Sequence, residues 1–209
     1  MRRKDAAVVF ACASLLLGYP NADFAEDLVA VGRALDRLPH CRAKNHLCLT
    51  YQWMSGMSMV EAAANYVDTF DLHKHNSLHL TFYRYGDTRE RGMALSCLAE
   101  SYRNVGFLLD DGELPDFLPA LLELASVASE GAEVLGEYRF ALELLRDGLE
   151  KEDNLFRGAI ASVLEALGTT SRRDHVIIQR YRSEGPPSER VGLETFVPPY
   201  TLGQKEVII

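Results

Sequence analysis

Cationic residues are in deficit in this chain. Lys and Arg number 22 against 30 Asp and Glu, for a formal net charge of −8. The deficit disfavours nucleic acid as a partner, because binding a phosphate backbone relies on clustered Lys and Arg. Cysteine is sparse: Cys12, Cys41, Cys48 and Cys97, with no CxxC pair. Three of the four fall inside apolar helical patterns, where a free thiol packs as a small hydrophobe. They read as reduced structural thiols, in keeping with a cytoplasmic location. There is no GxSxG elbow, no phosphate loop and no Gly-rich dinucleotide turn, so an enzyme has no specific support. The apolar run after Met1-Arg2-Arg3-Lys4 is too short to span a bilayer, Asp5 interrupts it, and no small-residue cleavage site follows. Membrane insertion is therefore not expected.

What is present is helical periodicity. The 209 residues fit one large domain, or a domain plus a tail, and a hydrophobic content of 47% can supply a core. The first helix is expected from near Asp5 to Gly18, with Pro20 beyond it. Asn21 can cap a second helix with Phe24, Leu28, Val31 and Leu35 on one face. A third is expected from about Arg42 to Met54. Ser58-Met59-Val60-Glu61 has capping-box spacing and opens a helix carrying Val60, Ala63, Val67 and Phe70. Gly86-Asp87 breaks the chain. Asp87 can cap the next helix, whose stripe is Ala94, Leu95, Leu98, Tyr102 and Val105. An acidic turn, Asp110-Asp111-Gly112-Glu113, leads through Leu114-Pro115-Asp116 into a helix with Leu118, Leu121, Leu122 and Ala125. Two more helices carry Val134 to Leu149 and Phe156 to Leu167. Val176-Ile177-Ile178 is the best strand candidate, within a helix-compatible stretch. The expected fold is all-α: a single globular multi-helix domain of eight or so helices over residues 1–184. No fixed-period repeat supports a solenoid. Residues 185–209, opening with Gly185-Pro186-Pro187, show no helical stripe and read as a mobile C-terminal tail. The tail does carry apolar groups, among them Phe196, Tyr200 and the terminal Val207-Ile208-Ile209, that suit loose docking on the domain.

Two histidine clusters invite a metal reading. His75 and His79 have the i, i+4 spacing of helical ligands, with His73 beside them, and His40-Cys41 lies near His46 and Cys48. Neither has HExxH order or an evident third ligand, so exposed polar histidines are the simpler reading and no metal site is assigned. A metal- or nucleotide-binding enzyme built on His73, His75 and His79 stands as the alternative from a different class.

The stretch from Tyr66 to Leu124 is the most informative. It contains YVDTFDL, then S-L-x-L-T-x-Y-x-Y-G-D-T-R-x-R-G-M-A-L, then A-E-S-Y-R-x-x-G and D-D-x-E-L-P-D-x-L-P-x-x-L-E-L. With Leu16-Leu17-Gly18-Tyr19-Pro20, these ordered blocks resemble the NarJ family of nitrate reductase assembly chaperones, a branch of the TorD/DmsD group of redox-enzyme maturation proteins. The resemblance covers about the first three quarters of the chain. It implies an all-helical, non-catalytic protein without a cofactor of its own. Such a protein binds the N-terminal segment of the nitrate reductase catalytic (alpha) subunit. It keeps the apoenzyme competent for insertion of molybdenum cofactor and an iron–sulfur cluster, and delays membrane docking until then. It leaves open molybdenum cofactor delivery proteins as further partners. Dimethyl sulfoxide or trimethylamine N-oxide reductase is the alternative client. A Glu/Pro-x-Asp-His type element of the wider group falls at Glu113-Leu114-Pro115-Asp116. Asp116 matches it, whereas Phe117 stands where histidine is common.

A client segment that forms an amphipathic helix needs an apolar groove with acidic edges. Tyr83, Tyr85, Met93 and Tyr102 are candidates for adaptable walls, with Leu98 on the same helix stripe. Asp87, Asp110, Asp111, Glu113 and Asp116 are candidates for the edges, and Pro115 belongs to the same motif. Competing readings are plain: Leu98 and Tyr102 as core, Asp87 as a cap, Tyr85-Gly86-Asp87 as a turn. Groove contacts would set affinity and acidic edges would steer encounter, so binding should weaken in salt without being abolished.

Overall fold

A computed structural model of the chain describes residues 1–109 and 112–185. The expectations for Asp110, Asp111 and the tail from residue 186 onward lie outside the described residues. Eleven α-helices occur among them, and no strand. They are α1 (Arg3–Leu17), α2 (Phe24–Arg37), α3 (Arg42–Ser55), α4 (Met59–Tyr66), α5 (Leu80–Tyr85), α6 (Arg89–Asn104), α7 (Leu118–Val127), α8 (Ser129–Glu137), α9 (Arg139–Lys151), α10 (Arg157–Leu167) and α11 (Arg172–Glu184). A π-helical turn, Val67–Asp71, follows α4, and a 3-10 turn covers Lys74–Asn76.

The core forms where α1, α7, α9 and α10 converge. Val9, Ala13 and Leu17 of α1 are fully buried with Leu121 and Leu122 of α7 and with Ile160 and Val163 of α10. At about 1.5–3 kcal/mol for each large aliphatic side chain withdrawn from water, such burial offsets much of the entropy lost on folding. The α3–α10 contact is close for a local reason. A Cβ on Gly158 would lie 2.5 Å from the His46 carbonyl and 2.6 Å from Thr50 Oγ1. Only glycine lets Thr50 donate to the Leu155 carbonyl at 2.7 Å and accept from the Ala159 N–H at 3.0 Å. That hydroxyl shares the Ala159 N–H, in the first turn of α10, with the Phe156 carbonyl at 3.1 Å. Edge-to-face rings extend the contact outward: Trp53 meets Phe156 at 5.0 Å and Tyr66 meets Phe70 at 5.0 Å.

Several sequence expectations change. The capping box is present, with Ser58 Oγ accepting from Glu61 N and Glu61 accepting from Ser58 N. Of the expected stripe, Phe70 is buried, Ala63 and Val67 are half-buried and Val60 is 72% exposed; the helix itself buries Ala62 and Tyr66. Asn21 does not cap α2 directly: its side chain accepts from Asp23 N, and Asp23 occupies the cap position. Thr88, not Asp87, precedes α6. The expected Val134–Leu149 helix is two helices, α8 and α9, broken at Tyr138. Val176-Ile177-Ile178 lies within α11, not a strand.

Candidate functional site

Some of the site residues inferred from sequence line a surface cleft, and Asp116 sits in a separate buried polar cluster. The cleft lies between α5, α6 and α8 and has a volume of about 460 Å³. Met93, Leu98 and Tyr85 from the inferred set line it. Met93 is 66% exposed, an unusual position for a large flexible apolar side chain on a helix. Val134 and Tyr138 form the opposing wall, and Glu90 and Glu137 supply carboxylates. Arg84 also lines the cleft, but its guanidinium is engaged: it lies over the rings of Tyr138 and Phe140 and donates to the Glu137 carbonyl at 3.2 Å.

Sequence reasoning missed Glu90, Cys97, Ser101, Val134, Glu137 and Tyr138. The α6 members were detectable, because residues 90, 93, 94, 97, 98 and 101 repeat at helical spacing on one flank. Val134 and Tyr138 keep their expected place on the core stripe, Tyr138 buried and Val134 partly buried against the core, and also edge the cleft.

Other inferred residues do not line the cleft. Tyr83 is buried; its hydroxyl donates toward the His75 and Ser77 carbonyls at 2.9 and 3.0 Å, and its ring meets Tyr181 at 5.7 Å. Burial drives its phenol well above the ordinary value. Tyr102 is buried beside Phe107, with no partner for its hydroxyl among the described residues. Burial first, and then the charges of Glu113, Asp116 and Glu123, raise its pKa. Pro115 is buried, Glu113 half-buried and Asp87 exposed.

Asp116 is the largest correction. It does not form an acidic edge, because its carboxylate is completely buried. One oxygen accepts from His79 Nδ1 at 3.0 Å. The other accepts from the Thr81 N–H at 3.3 Å, from Thr81 Oγ1, and from Arg91 at 3.5 Å. Arg91 also donates to Thr81 Oγ1 at 3.1 Å and reaches Asp87 at 3.6 Å. Burial pushes the Asp116 carboxyl up, but the His79 and Thr81 hydrogen bonds, with the charges of His79 and Arg91, outweigh it and hold the group below its usual range. The backbone closes the same joint: Leu80 N donates to the Asp116 carbonyl at 3.0 Å and Leu118 N to the Leu78 carbonyl at 2.8 Å. A single carboxylate thus ties the start of α5, the first turn of α6 and the entry to α7. The His79 ring also packs on Phe117 at 5.6 Å.

His73 and His75 stay together, their ring centroids 5.5 Å apart, but each histidine of the 73–79 group has a different partner. His79 serves Asp116, His75 meets Glu152 at 2.7 Å, and His73 contacts the Asp68 carbonyl. Among the described residues no group of three His, Cys, Asp or Glu is placed to hold a metal. None of their helices is long and apolar enough to cross a membrane.

Comparison with known proteins places this architecture. The family model described as nitrate reductase delta subunit matches residues 43–162, which spans α3 to α10. The chain is 29% identical over 178 residues to the probable nitrate reductase molybdenum cofactor assembly chaperone NarJ of Bacillus subtilis, covering 84% of this chain and 97% of that protein. It is 30% identical over 168 residues to the nitrate reductase molybdenum cofactor assembly chaperone NarJ of Escherichia coli, covering 78% and 71%. It is also 35% identical over 160 residues to the nitrate reductase-like protein NarX of Mycobacterium tuberculosis, covering 75% of this chain but 24% of that protein. With more than half of its length matched by the family model, this chain belongs to the nitrate reductase delta subunit family, as a NarJ-type nitrate reductase molybdenum cofactor assembly chaperone.

Proposed function

We propose that the chain holds the N-terminal segment of a respiratory nitrate reductase catalytic subunit in the α5–α6–α8 cleft. There it keeps the apoenzyme open to molybdenum cofactor and iron–sulfur insertion before membrane docking, in the cytoplasm. The two NarJ relatives are named as molybdenum cofactor assembly chaperones. The observation that carries the reading is Met93, exposed beside Tyr85, Cys97 and Leu98 with Glu90 and Glu137 at the rim. An adaptable thioether among aromatic and aliphatic walls suits a helix laid in a groove, and the two carboxylates suit a basic client. In this reading residues 1–184 are the chaperone body and residues 185–209 a tail.

Calorimetric titration with a synthetic peptide matching the cognate catalytic subunit's N-terminus tests the reading. Saturable binding that weakens in salt supports it. Absence of saturable binding at millimolar peptide overturns the peptide-chaperone mechanism. Capture from nitrate-respiring cells identifies the client. Recovery of a dimethyl sulfoxide or trimethylamine N-oxide reductase instead overturns the client assignment.

A further inference from the structure

We propose that the groove between α2 and the α3–α4 turn is a second protein-docking surface, and that its occupant is a basic amphipathic helix of another chain. The groove has a volume of about 500 Å³ and shares no residue with the α5–α6–α8 cleft. Ala25, Leu28 and Val29 of α2 form one wall, and Tyr51, Met57 and Met59 the other. Val29 is 51% and Met59 44% exposed, and Val60 stands out beside Met59.

These exposed side chains follow from how α4 folds. The first turn of α4 carries Met59 and Val60, yet the helix buries its Ala62–Tyr66 face. The apolar residues that open the helix are therefore left outside the core, next to Val29. Contiguous exposed apolar surface rimmed by charge marks interaction sites on soluble proteins.

The groove is preformed. A Cβ on Gly32 would lie 2.6 Å from the Tyr51 hydroxyl, so α2 and α3 meet there with no room to close further. Preformed walls lower the ordering cost of docking a helix.

The charge around the groove specifies the partner. No lining residue is charged. Asp23, Glu26 and Asp27 crowd the first turn of the same α2 stretch, and among the described residues none pairs with a cation. Burial, then the charges of Asp23 and Glu26, raise the Asp27 pKa, as expected for carboxylates that lack a counter-charge. A helix with apolar side chains at i, i+3, i+4 and i+7 and flanking Lys or Arg would fill the groove and neutralise that turn.

The test uses two synthetic peptides of identical Leu spacing, one flanked by Lys and one by Glu, titrated into the full chain. The Lys peptide should bind and the Glu peptide should bind at least about tenfold more weakly. Val29→Arg and Met59→Arg, both at exposed positions, should each weaken the Lys peptide about tenfold while helicity and melting temperature hold. Met93→Arg should leave the binding that depends on Val29 and Met59 unchanged. Equal affinity for the two peptides, or binding indifferent to Val29→Arg and Met59→Arg, overturns the proposal. So does binding lost only with Met93→Arg, which would place the peptide in the other cleft. The nitrate reductase peptide, titrated in parallel, should keep its affinity in Val29→Arg, which separates this surface from the proposed client site.

Discussion

Replacing Asp116 by Asn tests the joint between α5, α6 and α7 with almost no change of shape. Asn keeps the volume but removes the charge, and its amide NH2 presents a donor where a carboxylate oxygen accepts from Thr81 and Arg91. Arg91 then loses its buried counter-ion and His79 a charged acceptor. Removing one partner of a fully buried pair costs about 3–5 kcal/mol. Arg91 and His79 both retain contact with water, which lowers the expected loss to about 2–4 kcal/mol. Urea melts at pH 7 measure it. The pH dependence carries a sign. Because the folded pKa of Asp116 lies below its unfolded value, its contribution is fully present above the unfolded pKa of about 3.9 and fades as pH falls through the folded value. The gap between wild type and Asp116→Asn should therefore be widest near neutrality and narrow in acid. A loss below about 0.5 kcal/mol at pH 7, or a gap that widens in acid, would refute the account of this network.

Gly158→Ala should destabilise by about 1–3 kcal/mol, because the added methyl meets the His46 backbone; an unchanged midpoint would mean α3 and α10 are free to separate. Thiol labelling should be ordered. Exposed Cys97 should react first in the native protein and be shielded by bound client peptide. Cys12, whose thiol burial pushes up to about 11, should react only on unfolding. Labelling of Cys97 that ignores the peptide would argue against the cleft.

Legibility followed sequence distance. The stripe of Phe24, Val31 and Leu35 and the Ser58–Glu61 box are local, and both were visible in the residues. Around α4 two stripes competed. Tyr66, off the expected stripe, packs edge-to-face on Phe70, which is on it; the pair is buried while Val60 is left exposed. α5 spans six residues, too few to show a period. Asp116 was identified from its motif, but its burial was not readable, since His79 and Arg91 lie 37 and 25 residues away. The cleft was partly legible for the same reason: α6 supplies its own flank, while α8 faces it only through the break at Tyr138.

The central claim is that client peptide lies against α6, and Met93→Arg addresses it directly. The substitution is at an exposed position, so stability should shift by no more than about 0.5 kcal/mol. In calorimetry with the cognate nitrate reductase peptide, the account predicts affinity reduced about tenfold or more, through lost apolar contact and charge repulsion with a basic client. Undiminished affinity in a folded Met93→Arg protein would contradict it.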